Sequence, residues 1–181
     1  IDNLYAFLPA KAGCGTSTLV LNTAARLAGS LGKRTLILEA DLRSGVLDIM
    51  IGAAPSGGSQ SVLELAGQID TFLWENNITR AHGIEFLLTR RETGGIIPDW
   101  HHYHQVLNFA RSKYDLILVD LPELVNPATV EIVRRAASTF VTCTAEIAPL
   151  RLAKLRCEEM ALWGAPKTRI HILLNRALKG E

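Results

Sequence analysis

Residues 11–18, Lys-Ala-Gly-Cys-Gly-Thr-Ser-Thr, stand between a short apolar run at 4–8 and a helical stretch at 19–31. The run, Leu-Tyr-Ala-Phe-Leu, has the length and composition of a buried strand. In the helical stretch, Leu19, Ala24, Leu27, Ala28 and Leu31 fall near one face. A strand that turns through glycines straight into a helix aims several backbone N–H groups and the positive end of a helix dipole at one spot. Such a spot holds an anion with little help from charged side chains. A glycine turn that merely opens a helix, with Thr16 or Ser17 capping it, uses the same residues. The rest of the chain decides between the two.

Beyond residue 31 the alternation repeats. Apolar runs at 34–40, 84–88, 114–120, 138–144 and 169–174 read as five more strands. Helices are expected at 62–66 behind a Ser61 cap, at 99–113 behind an Asp99 cap, at 125–137 and at 150–162. Residues 53–61 form a turn-rich linker, and 89–98, with Arg90, Arg91 and a Gly-Gly pair, a basic loop. Six strands alternating with helices give an α/β, doubly wound, mostly parallel sheet with helices on both faces. Its ligand site then lies along the C-terminal strand ends. Acidic residues occur at two of those ends: Glu39 and Asp41 after the second strand, and Asp120 closing the run Tyr114-Asp115-Leu116-Ile117-Leu118-Val119-Asp120. Carboxylates so placed face the crevice and suit a metal's outer shell; solvated or capping carboxylates after a strand are the alternative.

The loop 11–18 resembles the deviant Walker A loop of the MinD/ParA ATPases, K-G-G-x-G-K-S/T. Lys11, Gly13, Gly15 and Ser17 match it, while Ala12 replaces a glycine and Thr16 replaces the lysine inside the loop. The resemblance implies a P-loop NTPase fold, ATP/ADP and Mg²⁺ as cofactors, and nucleotide bound by Lys11, Ala12, Gly13, Cys14, Gly15, Thr16, Ser17 and Thr18. It further implies that Ser17, Asp41 and Asp120 surround the metal and that Asp41 orients the attacking water, with Glu39 in the place of a first Asp. Lys11 would reach the phosphates of a partner subunit in a nucleotide-sandwiched homodimer, and Asn175, after the last strand, would bond the adenine edge. Thr16 in place of a lysine removes a cation from beside the β- and γ-phosphates, so ATP hydrolysis is expected to be slow or absent while nucleotide binding survives.

Asp120-Leu121-Pro122, together with Asp41-Leu42-Arg43-Ser44-Gly45 and Ala148-Pro149-Leu150-Arg151-Leu152-Ala153, is similar to one branch in particular. These are the CpaE/TadZ proteins, ATPase-like factors of Tad-type pilus assembly. This implies a dimeric localisation or assembly factor with pilus or secretion proteins as partners. Its place would be the bacterial cytoplasm, recruited by partners to a cell pole or the inner membrane. The single ATPase-like domain 1–181 would then lack its C-terminal end and any N-terminal receiver-like domain. A ParA-like DNA partition ATPase and a nucleotide-free pseudo-ATPase scaffold are the alternatives.

Composition narrows the classes further. A net charge of +1 over 181 residues offers no basic excess for an extended nucleic-acid surface. Arg151, Lys154 and Arg156 are offset by Glu158 and Glu159. The three cysteines lie far apart without metal-ligand spacing, which fits free thiols in a reducing compartment. No apolar run approaches the roughly 20 residues a membrane span needs. His101, His102 and His104 do not share one helical face, so surface histidines are expected there and not a metal site. Trp100 and Tyr103 are expected to pack their helix against the sheet or a partner.

Overall fold

The computed structural model describes residues 3–90 and 99–177. Seven strands, β1 (Leu4–Pro9), β2 (Thr35–Glu39), β3 (Thr79–Ala81), β4 (Ile84–Leu87), β5 (Leu116–Asp120), β6 (Ser138–Cys143) and β7 (Ile170–Leu174), form one sheet in the order β3-β4-β2-β5-β1-β6-β7. Every pairing is parallel except β3 with β4. Successive side chains of a strand leave on opposite faces, and the core divides accordingly. Leu4, Ala6 and Leu8 of β1, with Leu36, Leu38, Ile117 and Val119, enter one cluster; Phe7, Ile37 and Leu118 enter the other. Helices α1 (Thr16–Leu31) and α2 (Leu47–Ile51) cover the second face. The first is covered by α3 (Ser59–Glu64), α4 (Thr71–Asn77), α5 (Trp100–Lys113), α6 (Pro127–Arg135) and α7 (Ile147–Leu162). The doubly wound sheet expected from the alternation is present, and the six expected strands are its six parallel ones.

The seventh strand, β3, is set by the turn His82-Gly83. Both residues have positive φ, 53° and 75°, and link Ala81 to its partner Ile84 in a two-residue hairpin. Such loops favour Asn-Gly or Asp-Gly, so three strand residues ending in His-Gly carried no readable hairpin signal.

Helix starts depart from expectation for local reasons. The first helix begins at Thr16, not at 19, because Gly15 at φ 86° is its N-cap; its buried stripe is Thr16, Val20 and Ala24, while Leu31 is 60% exposed. Ser61 lies inside α3 and does not cap it. The chain is pinned earlier, where Ser59 N–H donates to Leu88 C=O at 2.7 Å, so Gly58 becomes the N-cap. Asn126 caps α6 in a reciprocal box with Thr129, and α7 starts at Ile147, three residues early. Asp99 caps α5 as expected, and His102 completes the box by accepting the Asp99 N–H through Nδ1. Tyr103 is buried against the sheet, whereas Trp100 is half exposed. Among the described residues no three His, Cys, Asp or Glu side chains are grouped to hold a metal, and no helix is long and apolar enough to cross a membrane. Of the expected basic loop, residues 91–98 lie outside the described residues.

Candidate functional site

The strands that carry the three sequence signals, β2, β5 and β1, are adjacent at the centre of the sheet, so their C-terminal ends open on one crevice. Where β1 ends, Ala10 N–H donates to Thr142 C=O at 2.8 Å, and the chain then folds back tightly, Cys14 N–H reaching Lys11 C=O at 3.3 Å. Gly13 and Gly15 take φ of 83° and 86°, a conformation glycine adopts without strain. Gly15 also cannot carry a side chain, because a Cβ there would stand 2.5 Å from Asn175 Nδ2. No side chain caps α1, and its first backbone bond is Leu19 N–H to Gly15 C=O at 3.0 Å. The amides at the head of the helix are therefore left without a side-chain cap. Beside them, Thr16 is 6% exposed, and its hydroxyl has no hydrogen-bond partner among the described residues.

A cavity of about 1030 Å³ spans this loop, residues 12–18, together with 40–46, 120–126, Tyr103 and Arg176. It brings together Ala12, Gly13, Cys14, Gly15, Thr16, Ser17, Thr18, Asp41 and Asp120, as the sequence signals require. Lys11 is exposed and outside its lining; Asn175, half-buried, is also outside the lining. The Asn175 side chain braces the loop: Nδ2 donates to Cys14 C=O at 2.8 Å while Oδ1 accepts the Arg176 N–H. Its own N–H donates to Cys143 C=O at 2.8 Å, so the last strand is clamped directly to the glycine loop.

Asp120 is 6% exposed at the end of β5. Burial pushes its carboxyl up to about 7, opposed by a hydrogen bond from Ser17 and reinforced by the charges of Glu39 and Asp41. Asp41 closes a small turn, Oδ1 accepting the N–H groups of Arg43 at 3.0 Å and Ser44 at 2.8 Å. The Thr89 hydroxyl donates to Asp41 C=O at 3.1 Å, and the Tyr103 hydroxyl to Ala40 C=O at 3.4 Å.

Glu39 corrects the expectation that both acids of this strand end face the crevice. It is 1% exposed and points away from the cavity: Oε1 accepts Leu47 N–H at 2.9 Å and Oε2 accepts Thr89 N–H at 2.8 Å. A Cβ on Gly45 would lie 2.5 Å from its carboxyl group. Burial raises its pKa, and the two backbone hydrogen bonds oppose the rise. Glu39 thus fixes the Asp41 turn from behind. Local sequence patterns do not disclose this role, nor do they mark Thr89, Tyr103 and Arg176 as neighbours of the site. Only the position of Arg176, directly after a strand end, hints at the crevice.

No protein-family model matches the chain. It is 28% identical over 152 residues to a putative tyrosine-protein kinase, EpsB of Ralstonia solanacearum, a match covering 79% of this chain but only 19% of that protein. Among solved structures, a ParA family ATPase from Chlorobium tepidum superposes with a TM-score of 0.89 at 22% identity, covering 98% of this chain and 75% of that one. The kinase domain of Escherichia coli tyrosine kinase ETK gives 0.76 at 19%, covering 99% and 71%. The septum site-determining protein MinD of Pyrococcus horikoshii, complexed with Mg-ADP, gives 0.73 at 22%, covering 96% and 68%. With its glycine loop, its strand order and these neighbours, the chain has the P-loop NTPase fold that ParA and MinD ATPases share with bacterial tyrosine-kinase domains.

Proposed function

We propose that the chain binds Mg²⁺ with ATP or ADP on the glycine loop and works as a nucleotide-controlled dimeric localisation or assembly factor, hydrolysing ATP slowly or not at all. One observation carries the nucleotide reading: a buried, unpartnered Thr16 hydroxyl beside uncapped helix amides, opening on a cavity with Asp41 and Asp120. What sets the Thr16 hydroxyl apart from other buried polar atoms without partners is its place beside uncapped helix amides on the cavity, where a phosphate would satisfy both. The amides of residues 16–18 would hold phosphate oxygens; Ser17, Asp41 and Asp120 would hold Mg²⁺ and its water. When bound, the metal neutralises charge on the transferring phosphoryl group. Asp41, its Oδ1 occupied by its own turn, has Oδ2 for orienting a water, and the exposed Lys11 is free to reach a second subunit. With threonine at position 16 and Lys11 outside the cavity lining, the loop aims no cation at phosphates bound in its own cavity, which supports slow turnover.

The Asp-Leu-Pro segment and its two companions support a role in Tad-type pilus assembly of the CpaE/TadZ kind, with pilus or secretion proteins as partners and recruitment to a pole or the inner membrane. The similarity to EpsB supports a second reading, a domain that transfers phosphate to tyrosine. The near-neutral charge gives little support to DNA partition. Calorimetry with Mg·ADP and Mg·ATP, repeated on Asp120→Ala, tests the core of the proposal: binding is expected in the wild type and a large loss in the variant. Absence of binding in the wild type leaves the scaffold reading. Phosphotyrosine formed from ATP, on the chain or on a tyrosine polymer, would select the kinase reading.

A further inference from the structure

Thr16 leaves the head of the helix without a cation and Lys11 is outside the cavity lining, yet a cation stands beside the loop. Arg176 lines the cavity, and its Nη2 lies 3.7 Å from the place a Cβ on Gly15 would occupy. The residue has φ 57°, one of two non-glycine residues with positive φ among those described. That conformation is costly for an arginine and persists where the surroundings impose it. Here the imposing contacts are those of Asn175, which joins β7 to Cys14 and accepts the Arg176 N–H. The guanidinium has no hydrogen bond or ion pair with another described residue. Two other cations lie near: Lys11 is outside the cavity lining, and Arg43 belongs to the Asp41 turn on another wall. Asp41, Asp120 and Glu123 also line the cavity, so a polyphosphate entering it meets carboxylates and needs a compensating charge on the loop side.

We propose that Arg176 is the phosphate-binding cation of this site, supplying from the end of β7 the charge that Thr16 withholds within the loop. The proposal rests on the nucleotide reading of the glycine loop. A guanidinium presents a planar fork of donors suited to two phosphate oxygens. Anchored through Asn175 to the glycine loop, it approaches the phosphates from the strand side, not from within the loop. It therefore serves binding of a diphosphate as well as of a triphosphate, and ADP is the better probe.

The test is calorimetry of Mg·ADP and of adenosine with the wild type, Arg176→Ala and Arg176→Lys, and with Arg176→Ala combined with Thr16→Lys. Arg176 is exposed, so thermal unfolding should show Arg176→Ala and Arg176→Lys folded as stably as the wild type, and the double variant, whose Thr16 is buried, is read at a temperature below its own unfolding transition. Removing the guanidinium is expected to weaken ADP by about tenfold to a hundredfold, with a smaller loss for Arg176→Lys and unchanged adenosine affinity. Thr16→Lys is expected to restore ADP binding to Arg176→Ala, and the gap between wild type and Arg176→Ala should narrow at high salt. Unchanged ADP affinity in Arg176→Ala, a parallel loss of adenosine, or no recovery with Thr16→Lys would each overturn the assignment. A wild type that binds neither ADP nor ATP removes the nucleotide reading itself, and is distinct from a wild type that binds while Arg176→Ala binds equally well.

Discussion

Asp120→Asn separates the cost of a buried charge from everything else at the site. Asp120 is 6% exposed, and its carboxyl is moved from the usual 3.8 to about 7. Asparagine keeps the shape and can still accept the Ser17 hydroxyl, but has no charge to desolvate. The raised pKa means that between these values the folded chain binds a proton that the unfolded chain does not. Wild-type stability should therefore fall as pH rises through that window, by up to about 1.4 kcal/mol per unit, and level off above it. Three units amount to roughly 4 kcal/mol, fully expressed above about pH 7 and absent below about pH 4. Urea unfolding of both proteins without nucleotide, at several pH values, measures the difference. The variant should gain on the wild type steadily as pH rises, and Mg·ADP should then reverse part of that gain by stabilising only the wild type. A stability difference independent of pH would refute the reasoning, because it would mean that Asp120 is solvated in the folded chain as in the unfolded one, and a difference of opposite slope would mean that it is paired with a cation.

The same geometry predicts three other outcomes. Gly15→Ala places a Cβ at φ 86° and 2.5 Å from Asn175 Nδ2; a loss of about 1–3 kcal/mol in denaturant unfolding is expected, with loss of ADP binding. Glu39→Ala leaves the amides of Leu47 and Thr89 buried and unpaired, which should cost about 2–5 kcal/mol by the same measurement, while Glu39→Gln, able to satisfy one of them, should cost less. Tyr114→Phe removes the acceptor of Trp74 Nε1–H and a donor to Glu85; about 1–3 kcal/mol should be lost, with a shift in Trp74 fluorescence.

Periodicity and glycine placement made the central architecture readable. Runs such as 34–40 and 114–120 are apolar on both faces because they lie between two helix layers; that continuity marks them as buried strands, and their alternation with helices marks the sheet as parallel. The loop at 11–18 was legible because only glycine suits the turns at 13 and 15, and Asp120 because it ends such a strand. What escaped depends on distance in the chain. The inward turn of Glu39 is decided by amides 8 and 50 residues away. The bracing role of Asn175 needs a carbonyl 161 residues back. Arg176 acquires its meaning from a left-handed backbone that no local pattern announces. The start of α3 moved because a tertiary bond, Ser59 to Leu88, pinned the chain before Ser61, whereas α1 and α6 start where Gly15 and Asn126 cap them.

The buried carboxylate of Glu39 has a mechanical consequence. It is fastened at once to the start of α2 and to the exit of β4, while Thr89 grips the carbonyl of Asp41. These contacts tie the Asp41 turn, the start of α2 and the β4 exit to one another, so a displacement of Asp41 would be felt at the β4 exit, toward the edge of the sheet.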